Sequence, residues 1–157
     1  MAGLNTLRPQ LRAAAVGATD GATYTLATAD AVLGVDMLAN ANTFLPTTLA
    51  ATKVYLTIYP GKLTEDNWGG STVNTGLEAR LYTIPFAVYF GFTRTTDQTW
   101  ATEEAFLEAL RTRWKTLANF TGTMAALTVT FEGPEFFLKD VPGHARHNGE
   151  VTMIGCG

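Results

Sequence analysis

The feature that most constrains this chain is the apolar stretch over residues 77–95, interrupted by Pro85 and followed at once by an amphipathic pattern over residues 102–118. The stretch is too long for an average strand, and a proline inside it cannot donate to a ladder. Phe86, Val88, Phe90 and Phe92 alternate as residues on one strand face do. Leu77, Ala79 and Leu81 alternate as well, but the parity changes across Pro85. A β-bulge at the proline accounts for the change, bends the strand and places Pro85 on a sheet edge.

The segment after it predicts a helix. Thr102 serves as its cap, Glu103 and Glu104 fall in the first turn, and Arg111, Arg113 and Lys115 lie toward the end. Both ends therefore complement the helix macrodipole. Leu107, Leu110, Trp114 and Leu117 form an apolar stripe with Phe106 beside it, the pattern of a helix lying on a sheet. One helix covers one face of a sheet, which leaves the edges and the opposite face for something else.

The remaining elements are shorter. Leu4, Leu7, Leu11 and Ala14 recur at helical spacing; since proline is tolerated in the first turn, Pro9 predicts a helix from about Arg8 to Gly17. Val54, Leu56 and Ile58 alternate with Tyr55, Thr57 and Tyr59, a strand stopped by Pro60-Gly61. Residues 61–76 are polar and glycine-rich, with Trp68 beside Gly69 and Gly70, and read as a long loop. Strands are predicted over 127–132 and 135–139, flanking a hairpin-like turn at Gly133-Pro134, and over 149–154. Residues 18–52 are Ala/Thr-rich, with Asp20, Asp30 and Asp36 as their only charges. They carry only weak signals for a strand at 24–28 and a helical turn at 31–38. So long an irregular stretch is uncommon in a compact domain, and it is expected to become ordered against a neighbouring subunit; a plain surface loop is the alternative. The fold expected is a single α+β domain over residues 1–157. It has a mainly antiparallel sheet, an N-terminal helix, and one long amphipathic helix packed on one face.

Composition narrows the function. The chain has 157 residues, 46% of them hydrophobic and only 16% charged, against roughly a quarter charged in ordinary soluble domains; this suits a chain that hides surface in an assembly. A net charge of -3 offers no basic field for nucleic acid or an anionic membrane. The single Cys156 excludes an internal disulfide and a thiolate metal cluster. No run approaches the roughly 18 apolar residues of a membrane span, and no signal-peptide core is present, so a cytosol-like compartment is expected.

Catalytic signatures are sparse. Ser71, the sole serine, lies in a Gly-Gly-Ser-Thr loop without a strand-to-helix elbow, and neither GxxxxGK[ST] nor GxGxxG occurs. His144 and His147 have metal-like spacing, with Asp140, Glu150 and Cys156 nearby, but Pro142-Gly143 and Asn148-Gly149 predict an exposed turn there. Glu103 and Glu104 point to different helix faces and read as first-turn charges. Phe86, Tyr89, Phe90 and Phe92 could stack bases, but too few basic residues flank them, and core packing explains them better. No enzymatic activity, cofactor or metal is expected.

In element order, size and texture the chain resembles the tail terminator proteins of long-tailed bacteriophages. The likeness is carried best by residues 80–91 (RLYTIPFAVYFG), 103–117 (EEAFLEALRTRWKTL) and 127–132. The resemblance implies a small α+β subunit closing into a homo-oligomeric ring, usually a hexamer. That ring caps the tail tube protein and joins it to the head-tail connector or neck protein. It further implies a place in the virion tail or neck after assembly in the host cytoplasm, with no sequence-specific nucleic acid and no membrane as partners. The segment 18–52 departs from the family's pattern. The alternatives are another neck, tube or baseplate protein, a small metal-dependent enzyme using His144 and His147, or a ligand-binding domain with an aromatic pocket around Trp114 and Phe90. The expected interface residues are Phe44, Trp68, Gly69, Gly70, Tyr82 and Pro85.

Overall fold

A computed structural model describes residues 4–28, 31–33, 49–65, 79–92, 100–120, 126–137 and 143–156. Its centre is a long antiparallel ribbon made by β4 (Ala79–Phe92) and β7 (Gly143–Cys156), which pair in one unbroken register from Ala79↔Cys156 to Phe92↔Gly143. Each flank of the ribbon carries a strand broken in two. β2 (Val54–Ile58) and β3 (Lys62–Glu65) lie end to end along β4, separated at Pro60-Gly61. β5 (Thr128–Phe131) and β6 (Glu135–Phe137) lie end to end along β7, separated at Gly133-Pro134. β1 (Val32–Leu33) adds a short parallel pairing to β2, and the described residues form a seven-stranded mixed sheet that is mostly antiparallel.

Three sequence expectations are corrected here. Pro85 lies in the middle of a central strand, with no bulge against β7. Its carbonyl accepts a hydrogen bond from the Tyr59 N–H at 2.9 Å. In an extended strand the N–H of the same residue would point to the same side, so the missing donor faces the break between β2 and β3, where no ladder partner is required. The parity does not change either: Tyr82, Ile84, Phe86, Val88 and Phe90 all join one buried cluster. Gly133-Pro134 is no hairpin, because β5 and β6 both pair with β7 and not with each other. Finally, residues 144–149 form strand, not turn. A full-length partner strand supplies ladder bonds that outweigh the local turn preference of Asn148-Gly149.

The helices cover one face. α1 (Leu4–Ala15) starts earlier than Pro9 suggested and holds the proline inside it. Its buried stripe of Leu7, Leu11, Ala14 and Ala15 offsets the backbone bond lost there. Gly17, at φ +100°, ends it in the left-handed conformation that glycine adopts without strain. α2 (Trp100–Lys115) buries Glu103, Phe106, Leu107, Leu110 and Trp114. The Trp114 indole N–H donates to the Leu11 carbonyl at 2.9 Å, and Arg113 Nε donates to the Ala14 carbonyl at 2.7 Å, which ties the helices together. Beneath them the Phe86 ring meets Trp114 edge-on at 4.9 Å and Phe131 at 5.5 Å, geometry that suits the aromatic quadrupole. The short 3₁₀ turn Leu117–Asn119 follows α2.

Part of the Ala/Thr-rich segment folds on its own chain. Asp20 accepts hydrogen bonds from the backbone N–H groups of Ala22, Thr23 and Tyr24, an aspartate turn that replaces secondary structure. Tyr24 is buried against Phe90 and donates its hydroxyl to the Gly91 carbonyl at 2.8 Å. The loop predicted at 61–76 contains β3. No described helix is long and apolar enough to cross a membrane.

Candidate functional site

The most distinctive chemistry lies where α2 crosses β7. His147 registers with Val88, so its side chain shares the helix-covered side of the sheet. Glu103 occupies the first turn of α2, where the helix dipole favours a carboxylate. The two meet in the interior: Nε2 of His147 and Oε2 of Glu103 are hydrogen-bonded at 2.8 Å, with side chains 6% and 0% exposed. The His147 ring also stands edge-on to Phe90 at 5.5 Å. The other carboxylate oxygen, Oε1, has no hydrogen-bond partner among the described residues. Burying so polar a pair is costly unless it is internally satisfied, which makes it a specific feature and not a generic piece of core.

His147 also reaches the wall of a groove of about 580 Å³ between α2 and the β5–β6 border. Leu107 and Phe131 supply apolar surface, and Glu104, Glu108, Arg111 and Glu132 supply charge. Arg111 is multiply held. It pairs with Glu108, stacks over the Phe131 ring at 4.8 Å, and donates from Nε to the Val129 carbonyl at 3.1 Å. That last bond occupies a backbone acceptor on the border strand, a device that blunts strand-to-strand association. Gly133 and Pro134 complete the described lining of the groove.

On the opposite side of the sheet, Tyr59 and Tyr89 bring their hydroxyls to 3.3 Å. Burial and the bond to Tyr89 push the Tyr59 hydroxyl up to about 12. Glu135 pairs with Arg146, and His144 lies 6.2 Å from the Tyr89 ring.

This arrangement decides several sequence expectations. His144 and His147 do not sit in a turn. Three residues apart on one strand, they project to opposite sides of the sheet and cannot share a metal ion. Among the described residues no group of three His, Cys, Asp or Glu side chains is placed to hold one. Glu103 lies in the first turn of α2 as expected but is buried there, and its pairing with His147 has no local sequence signal because the two are 44 positions apart. Trp114 and Phe90 are fully buried core residues. Of the expected interface residues, Tyr82 is buried in the core, so its side chain cannot serve a partner. Pro85 is partly exposed and lines a second cavity of about 330 Å³ with Tyr59, Thr130 and Glu150. Phe44, Trp68, Gly69 and Gly70 lie outside the described residues.

A comparison with protein-family models finds no match, and neither does a comparison with curated proteins.

Proposed function

We propose that the protein is a structural subunit of a bacteriophage tail or neck, a tail terminator whose copies close into a ring, expected to be a hexamer. In this reading the ring ends the tail tube, presents the surface that meets the head connector, and performs no catalysis. Helix α2 acts as the amphipathic cover of one sheet face.

The observation that carries the reading is the form of the sheet. A long ribbon is flanked on both sides by short, broken strands, and the two borders differ in chemistry. Rings of three or more copies of one chain need contacts in which one patch meets a different patch on the next copy. A sheet with unlike borders offers such a pair. Low charge adds support, since few basic side chains would hold DNA passing through a lumen. The test is native mass spectrometry of the purified chain together with negative-stain imaging. Closed rings support the proposal, and a chain monomeric at every concentration defeats it.

The buried His147–Glu103 pair beside the groove favours a second reading, a ligand-binding domain. Screening small molecules for a rise in unfolding temperature tests it. Gly133→Trp, at a position with open space around it, serves as the groove-filling control. Stabilisation that survives in the control would place the ligand elsewhere.

A further inference from the structure

The groove between α2 and the β5–β6 border has two chemical halves. Its apolar part, Leu107 and Phe131, lies on the helix-covered side of the sheet, where Phe131 meets Phe86 edge-on. Its acidic part is Glu104 and Glu132, neither of which has an ion pair among the described residues; Glu108 is held by Arg111. A groove of this kind fits a segment that presents an apolar and a basic side chain together.

The opposite border of the same sheet presents one. Leu63 on β3 is 46% exposed and is the one large hydrophobic side chain so exposed among the described residues. Lys62 beside it is exposed as well. Register fixes their directions. Leu63 pairs with Tyr82 and so lies on the helix-covered side, whereas Lys62 pairs with Thr83 and lies on the other. The acceptor border alternates in the same sense, with Phe131 on the helix-covered side and Glu132 next to it in sequence. β3 and β5 lie on opposite sides of the β4–β7 ribbon, as a head-to-tail contact requires.

We propose that Leu63 of one copy enters the groove of the next between Leu107 and Phe131, with its Lys62 placed against Glu132. This contact rests on the ring reading and names the surfaces that build the ring. Side chains make the contact, and the strands do not fuse into one sheet, because Arg111 already occupies the Val129 carbonyl. That guanidinium limits association to the discrete, closing kind and opposes open-ended strand addition.

Two variants test it, Leu63→Asp on one border and Glu104→Lys/Glu132→Lys on the other. All the positions changed are exposed, so each variant's circular dichroism and unfolding temperature should match the wild type. Each alone is expected to lose the ring, with self-association weakened at least about tenfold, the scale of one buried leucine. Mixed in equal amounts, the two form heterodimers and nothing larger, because each keeps one intact border. Rings that persist in both variants overturn this contact and leave the ring reading standing. Variants that fail to pair on mixing also overturn the contact. A wild-type chain that never assembles overturns the ring reading and the contact with it.

Discussion

His147 Nε2 lies 2.8 Å from Glu103 Oε2 inside the layer between α2 and the sheet, and neither side chain is more than 6% exposed. The pair joins α2 to β7 inside the buried layer. Removing His147 leaves the Glu103 carboxylate buried without its hydrogen-bond donor, and removing Glu103 takes the carboxylate from a buried imidazole. His147→Ala is therefore expected to lower stability by about 3 kcal/mol and Glu103→Ala by a similar amount, with the double variant well short of the sum. Urea unfolding of the three variants measures this. Additive effects would mean that the two residues act independently.

Gly149 faces Phe86 across the ribbon. A Cβ there would stand 2.3 Å from the Thr130 carbonyl oxygen and 2.5 Å from Phe86 Cζ. The backbone of β5 cannot yield as a flexible side chain would, so Gly149→Ala is expected to cost about 2–3 kcal/mol. Gly133 has nothing within 4 Å, and Gly133→Ala should stay within about 0.5 kcal/mol of the wild type. Thermal unfolding of both variants makes the comparison, and equal effects would contradict the close approach of β5 to β7.

Tyr59 gives the fold a signature at alkaline pH. Its hydroxyl is pushed up to about 12 by burial and by Tyr89, while an unfolded tyrosine ionises near pH 10. A group held protonated by the folded state contributes stability that is fully present below pH 10 and is lost as pH rises through 12. Tyr59→Phe should therefore flatten the decline of stability between about pH 10 and pH 12. Absorbance titration of tyrosinate in the folded protein tests the same claim, and a Tyr59 that ionises near pH 10 would refute it.

Arg111 guards a border. Its Nε bond to the Val129 carbonyl and its position over the Phe131 ring depend on the guanidinium. Arg111→Ala is expected to fold but to free that carbonyl, giving growth in light scattering over time where the wild type gives a fixed particle size. An unchanged scattering trace would remove the guarding role.

Much of the architecture was legible in the sequence because it rests on periodicity. Of the expected stripe, Leu107, Leu110 and Trp114, with Phe106 beside them, are buried on α2, which ends at Lys115 before Leu117; the alternation Val54, Leu56, Ile58 on β2 buries as its spacing requires. What was not legible depends on partners distant in the chain. Pro85 reads locally as an edge residue, yet it is tolerated in a central strand because the break at Pro60-Gly61 falls beside it. Asn148-Gly149 reads as a turn, yet β4 holds it extended and Phe86 needs the glycine there. Lys62 to Glu65 alternates too weakly to stand out from the loop around it, and pairing with β4 makes it a strand. The His147–Glu103 pair left no local signal at all. A histidine in an apparent turn and a glutamate in a helix's first turn each had a sufficient ordinary explanation.

Whether copies of this chain close into a ring, as proposed, is read from native mass spectrometry of the purified wild-type protein. The expected result is a single closed oligomer, a hexamer, seen as rings in negative stain. A mass of one chain at every concentration, with no rings, would contradict it.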